Sequence, residues 1–187
     1  MNMSGFLELC RLRRSVRKFS DRPVERERLE PCLEAARLAP SADNFQPWRF
    51  LVFDDPEKKQ ALADAVFTGA YAYTRPLARA PVLVCLLIKE SVLVNKVAAA
   101  VTGTQLQWVD AGIAGEHFVL AAAEQGLGTC WIGWFNGKAL VKYLGLKGKG
   151  YKSVCLLAVG YPEKEPEPRE PKRKPLSDIV SWNSGPR

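Results

Sequence analysis

The helix that the sequence predicts over Thr104–Gln125 has almost no polar face. Leu106, Trp108, Val109, Ile113, Phe118, Val119 and Leu120 are spread around its axis, with alanines between them. A helix that is apolar nearly all round has to be covered on every side, so this segment is expected to be buried. Gly112 and Gly115 within it would let a second helix approach closely. Val82–Ile88 adds a second constraint. It is a continuous run of β-branched residues, leucine and cysteine, which reads as a central strand buried on both faces.

The other elements follow from spacing and punctuation. Ser4 can cap a short helix with Phe6, Leu7 and Cys10 on one face, ending where an arginine cluster begins. Leu29, Leu33 and Ala36 mark a helix from about Val24 to Ala39, which Pro40 stops. Trp48–Phe53 reads as a strand. Asp55-Pro56 is an N-cap followed by proline at the first helical position, opening a helix to about Val66. Thr129–Trp134 and Val154–Gly160 are strands, and Asn136 caps a helix to about Leu144. Residues 90–103 lack clean periodicity and are expected to form a mobile helix-and-loop excursion over a pocket.

From Pro162 to Pro175 the chain turns to Pro, Glu, Lys and Arg, which cannot build a core and should run extended. Leu176, Ile179, Val180 and Trp182 then offer apolar anchors for docking on the body or on a partner subunit. Helices and strands mix without strict βαβ alternation, so the expected class is α+β. The 187 residues suffice for a single domain, 1–187, with 162–187 as an extended C-terminal arm.

Composition narrows the function. No apolar run approaches the ~20 residues of a membrane span, and no signal-peptide core precedes Arg11, so a cytoplasmic protein is expected. Cys10, Cys32, Cys85, Cys130 and Cys155 are scattered among mostly apolar residues, as free buried thiols would be. His117 is the sole histidine, and no ligand pair has metal spacing. The net charge of +7 is concentrated in Arg11–Lys18 and Lys147–Lys152. Aromatic residues do not interleave with those runs, so a phosphate site and a solvated loop are preferred to a nucleic-acid surface. No serine elbow or evident carboxylate pair is present, which fits chemistry carried by a bound cofactor.

Two segments carry that chemistry. Arg13, Arg14, Ser15 and Arg17 offer guanidinium forks and a hydroxyl, a donor set suited to phosphate. Pro40, Ser41, Ala42, Asn44 and Gln46 place a hydroxyl and two amides on a proline-bounded segment, suited to the polar edge of a planar heterocycle. Phosphate at one end and a heterocycle at the other describes a nucleotide-like cofactor.

The order R-R-S-V-R-K-F (13–19), P-S-A-D-N-F-Q-P-W (40–48), G-L-G-T-C-W-I-G (126–133) and K-R-K-P-L (172–176) resembles the FMN-dependent nitroreductase family. That resemblance implies a three-layer fold with a mixed, mainly antiparallel sheet flanked by helices. It also implies a homodimer with shared FMN sites and a C-terminal tail extended over the partner. Arg13, Arg14 and Ser15 would contact phosphate and ribityl, and Arg17 would lie at the N1/O2 edge and stabilise the reduced flavin. Pro40, Ser41, Ala42, Asn44 and Gln46 would reach the flavin bound mainly by the other subunit. The backbone of Ile132 and Gly133 would lie against the ring near N5. Arg173, with Lys172 or Lys174, would clamp the phosphate, and Arg75 lies near a basic position of the family.

The function implied is an NAD(P)H oxidoreductase, with NADH or NADPH as hydride donor and a nitroaromatic, quinone or similar small molecule as acceptor. One rival is a flavoprotein of this fold performing reductive dehalogenation or flavin fragmentation. The other is a non-enzymatic anion or nucleic-acid binding module.

Overall fold

Strand β2 (Val82–Lys89) decides the architecture. Its side chains alternate between two apolar clusters: Val82, Val84, Leu86 and Ile88 enter one, Leu83, Cys85 and Leu87 the other. All seven are at most 1% exposed. A strand with two dry faces needs a layer on each side, and the computed structural model, which describes residues 3–90, 103–164 and 171–185, supplies both.

Strands β1 (Trp48–Phe53) and β4 (Tyr151–Gly160) flank β2, and β3 (Gly128–Ile132) completes the order β1-β2-β4-β3. All three pairings are antiparallel. Among the described residues, the parallel component of the expected mixed sheet is a single bridge between Ser15 and Thr129. A bulge sets Leu86 opposite Cys155 and Leu87 opposite Ser153, leaving Val154 as the extra residue.

Helix α2 (Arg26–Arg37) and helix α4 (Leu106–Glu124) share the first cluster, through Leu29, Cys32, Ala111, Ala114 and Phe118. Helix α3 (Pro56–Val66) and helix α5 (Gly137–Tyr143) share the second, through Leu62, Val66 and Leu140. Helix α1 (Met3–Leu12) lies against α4.

Of the caps read from the sequence, those at Asp55 and Asn136 are in place, whereas Ser4 lies inside α1 and not before it. The Asp55 side chain accepts from the Lys58 amide at 2.9 Å, and Asn136 accepts from the Ala139 amide at 3.0 Å. Helix α4 ends in a Schellman turn: Gly126, at φ +75°, donates to Ala123, and Leu127 donates to Ala122.

Four expectations are corrected. Helix α4 is not covered all round, since Val109 is 49% exposed. Gly115 does make room, but for the sheet: an added Cβ would lie 2.3 Å from the Trp131 ring of β3, whereas Gly112 has nothing within 4 Å. Cys10 is exposed, while the other four thiols are buried. Gly69–Arg79, which the pattern assigned to no element, forms 3-10 turns. Most of the excursion expected over 90–103 lies outside the described residues. So do residues 165–170 of the arm; after Pro175 it makes one 3-10 turn, Leu176–Asp178, and Leu176, Ile179 and Trp182 are exposed.

A polar cluster fixes the entry to α2. Glu25 accepts the Tyr161 hydroxyl at 2.6 Å and Arg22 at 2.8 Å, while the Arg22 guanidinium lies 3.9 Å from the Tyr161 ring centre. Hydrogen bonds from Tyr161 and then Arg22 hold the Glu25 carboxyl down at about 2, against an ordinary 4.5.

Two outcomes are expected. Gly115→Ala should cost about 1–3 kcal/mol by overpacking against Trp131, read as a lower urea midpoint at unchanged slope. Because the Glu25 pKa is depressed on folding, its contribution is complete above the ordinary value and is lost as pH falls from 4.5 towards 2. Glu25→Gln should therefore flatten the acid limb of a stability-versus-pH curve in that window; an unchanged limb would remove this cluster from the account.

Candidate functional site

The arginine segment is stitched into the sheet by its backbone. Val16 donates to the Thr129 carbonyl at 2.8 Å beside the start of β3. Ser20 donates to Tyr161 at 2.9 Å and Glu163 donates to Lys18 at 3.1 Å, beyond the end of β4. Val16 packs over Gly128, where an added Cβ would come within 2.7 Å of it. An extended segment pinned at both ends alternates its side chains, so Ser15 and Arg17 are set on one side and Val16 on the other, while Arg13 and Arg14 line the spaces on both sides.

On the open side the two termini meet. A cavity of about 420 Å³ is lined by Arg13, Arg14, Ser15 and Arg17 from the N-terminal segment, and by Pro171, Lys172 and Arg173 from the C-terminal one. Among the described residues, five cationic side chains line it and no carboxylate does. A carboxylate close to this cluster is Glu116 on α4, 3.9 Å from Arg13 Nε. Burial raises the Glu116 carboxyl above its ordinary range, partly offset by Arg13. Such a concentration of like charge suits a phosphate or another anion.

Arg17 is near enough to Cys130 on β3 to oppose the upward push of burial on that thiol. Two residues on, Ile132 sends its side chain into the second apolar cluster, so its main chain is the part left for a ligand. Gly133 is exposed and would have nothing within 4 Å of an added Cβ. Its lack of a side chain therefore serves no internal packing. The Trp134 carbonyl and ring hold this turn in place, accepting from the Thr74 hydroxyl and donating through Nε1 to Ala70 at 2.9 Å.

The Pro40–Gln46 segment is a separate construction. Asp43, Asn44 and Gln46 have φ of +48°, +56° and +48°, a left-handed run that Asn and Asp tolerate best. Ser41 Oγ accepts the Gln46 amide at 3.0 Å, and Gln46 Nε2 donates to Asn44 Oδ1 at 2.9 Å. Asp110 anchors the loop to α4 by accepting the Ala42 amide at 3.1 Å, and burial raises its pKa. Asp110 is 6% exposed. Sequence patterning passes over this residue, although an acid inside an otherwise apolar helix was the available signal.

The structure thus gathers Arg13, Arg14, Ser15, Arg17, Lys172 and Arg173, and sets Pro40, Ser41, Ala42, Asn44 and Gln46 elsewhere. Asp110 and Glu116 are six residues apart on α4, about 9 Å along the axis and about 120° around it. The loop and Arg13 therefore sit against different sides of that helix. Arg75 is also apart, held in an ion pair with Asp64 of α3 and half-exposed. His117 is half-buried, with Nδ1 2.9 Å from the Ile113 carbonyl.

Known proteins of similar sequence and fold identify the family. A protein of Archaeoglobus fulgidus, named provisionally as an NADH dehydrogenase/NAD(P)H nitroreductase, is 34% identical over 168 residues, covering 87% of this chain and 88% of its own. The NADPH-flavin oxidoreductase of Vibrio harveyi is 31% identical over 185 residues, covering 97% of this chain and 75% of its own. A crystal structure of a nitroreductase family protein from Clostridium difficile superposes with a TM-score of 0.76 at 31% identity, over 98% of this chain and 99% of that one. The Nitroreductase family model matches residues 11–161. With the fold, the basic cavity and the sequence in agreement, this chain belongs to the nitroreductase family.

Proposed function

We propose that the cavity where the two basic segments converge receives the phosphate of FMN, and that the enzyme passes electrons from NADH or NADPH to a nitroaromatic, quinone or similar small molecule. The chain is an oxidoreductase of its family, and FMN and NAD(P)H are its cofactors. The acceptor and the residue roles are the proposal. One observation carries it: Arg13, Arg14 and Arg17 from one segment and Lys172 and Arg173 from a distant one line a single cavity, with no carboxylate among its described lining residues. That charge fits a phosphate.

Bound there, FMN would supply the two-electron redox chemistry. Arg13, Arg14, Ser15, Lys172 and Arg173 would hold its phosphate. Arg17, on the same segment and towards β3, would offset negative charge on the pyrimidine side. Ile132 and Gly133 would offer main-chain contacts, with the open space beside Gly133 admitting a planar ring. No acid–base side chain is required of the protein beyond these.

The loop Pro40–Gln46 stands against a different side of α4 from Arg13, which supports its serving the site of a second copy. Phe6, Leu7 and Leu12 on α1, Val109 on α4, and Leu176, Ile179 and Trp182 in the arm are exposed apolar surface that a partner subunit would cover. No helix among the described residues is long and apolar enough to cross a membrane.

Purified protein should release about one FMN per chain on extraction. Arg13→Ala should weaken FMN binding, and Arg17→Ala should slow reduction by NAD(P)H more than it affects retention. Removing a charge-assisted hydrogen bond costs about 1.5–3 kcal/mol, or about ten- to a hundredfold. Equal FMN loss in both variants, with normal reduction per bound flavin, would contradict the division of roles; absence of flavin after reconstitution would end the reading. For assembly, sedimentation should give a dimer. Co-expressed Arg13→Ala and Asn44→Ala chains should recover one intact site per heterodimer, whereas a monomer that binds FMN tightly would exclude shared sites.

A further inference from the structure

A second basic cavity lies at the other end of β3. It measures about 810 Å³ and is lined by Lys138 and Lys142 of α5, Lys147 of the following loop, Lys152 at the start of β4, and the rings of Trp108 and Tyr151. No carboxylate is among its described lining residues. Lys152 is paired with Glu90 at 2.6 Å, while the ammonium groups of Lys138, Lys142 and Lys147 have no hydrogen bond or ion pair with any described residue. All four lysines are exposed at its rim. Three unneutralised ammonium groups around one concavity repel each other, and an anion entering between them relieves that repulsion.

The position of this cavity narrows the ligand. Its wall begins at Asn136, three residues from Gly133, so it opens at most about 11 Å along the chain from the backbone assigned to the flavin ring. Lysines are point charges that accept phosphate from any direction, unlike the fork geometry of the arginine cavity. Trp108 and Tyr151 add aromatic surface of the kind on which a purine can stack. The volume falls within the usual range for a small-molecule site. An ion alone would not need the aromatic wall, and an uncharged ring would not need the lysines.

Resting on the flavoenzyme reading above, we infer that this cavity binds the phosphate-bearing adenosine portion of the nicotinamide donor. Lys138, Lys142 and Lys147 take its phosphates, and Trp108 and Tyr151 take the base. The donor's reactive ring is thereby directed towards Gly133. The lysines determine donor affinity and take no part in the redox step.

The test uses FMN-loaded enzyme and 2′,5′-ADP, a fragment without the nicotinamide. Calorimetric titration should detect binding to the wild type, and the triple variant K138Q/K142Q/K147Q should bind about tenfold more weakly, as three exposed charge contacts imply. The KM for NADPH should rise by a similar factor, while the KM for an uncharged quinone stays within twofold. The substituted side chains are exposed, so the fold is not at stake; far-UV circular dichroism checks it. Equal 2′,5′-ADP binding by wild type and variant overturns the assignment. So does weakened affinity for 4-nitrobenzoate with unaltered 2′,5′-ADP binding, which would give the cavity to an anionic acceptor. If neither nicotinamide reduces the wild-type flavin, the donor reading itself fails, an outcome distinct from reduction with equal KM in both proteins.

Discussion

Burial of β2 on both faces is the constraint from which the rest of the molecule follows. Seven consecutive residues without a polar side chain cannot form an edge or a solvent-facing strand, so β1 and β4 close its two sides and helices close its two faces. Fully burying a side chain of this kind gains about 1.5–3 kcal/mol, and the alternation of β2 divides that gain between two cores. Helix α4 is then committed to the first core, by Ala111, Ala114 and Phe118, and α3 and α5 to the second. Gly115 is the point of closest fit between α4 and the sheet, because the Trp131 ring occupies the space of its missing side chain.

With the centre of the sheet closed, chemistry is left to its margin. The arginine segment joins β3 through backbone hydrogen bonds at Thr129 and is held beyond β4 by Tyr161. Main-chain pairing uses amides and carbonyls, so a charged run can be rigid while its guanidinium groups face a cavity. The result is a cavity in which cations are held against one another by the fold. Repulsion of that kind weakens a protein until a ligand offsets it, which is why such clusters mark binding sites more often than stabilising networks. Glu25, Tyr161 and Arg22 lie just behind this segment and fix the turn into α2.

The buried thiols have no comparable role. Burial raises Cys32 to about 11 and Cys85 to about 12, so both stay protonated and inert within the core. Asp110 shows the opposite use of a buried polar group. It costs desolvation, yet it pins the Ala42 amide and with it a loop containing three left-handed residues.

Local signals in the sequence determined most of the elements. The apolar run at 82–88 and the caps at Asp55 and Asn136 each act over a few residues, through burial and capping, and each is where it was read. The Arg13–Arg17 cluster was legible as a concentration of positive charge for the same reason: its members are neighbours in the chain. What sequence could not decide was which distant groups meet. That Lys172 and Arg173 face Arg13, that Gly115 receives Trp131 and not another helix, that Asp110 anchors residue 42, and that Arg75 pairs with Asp64 all depend on how the layers pack. Packing is set by the summed burial of two cores, and no short window of residues contains that sum.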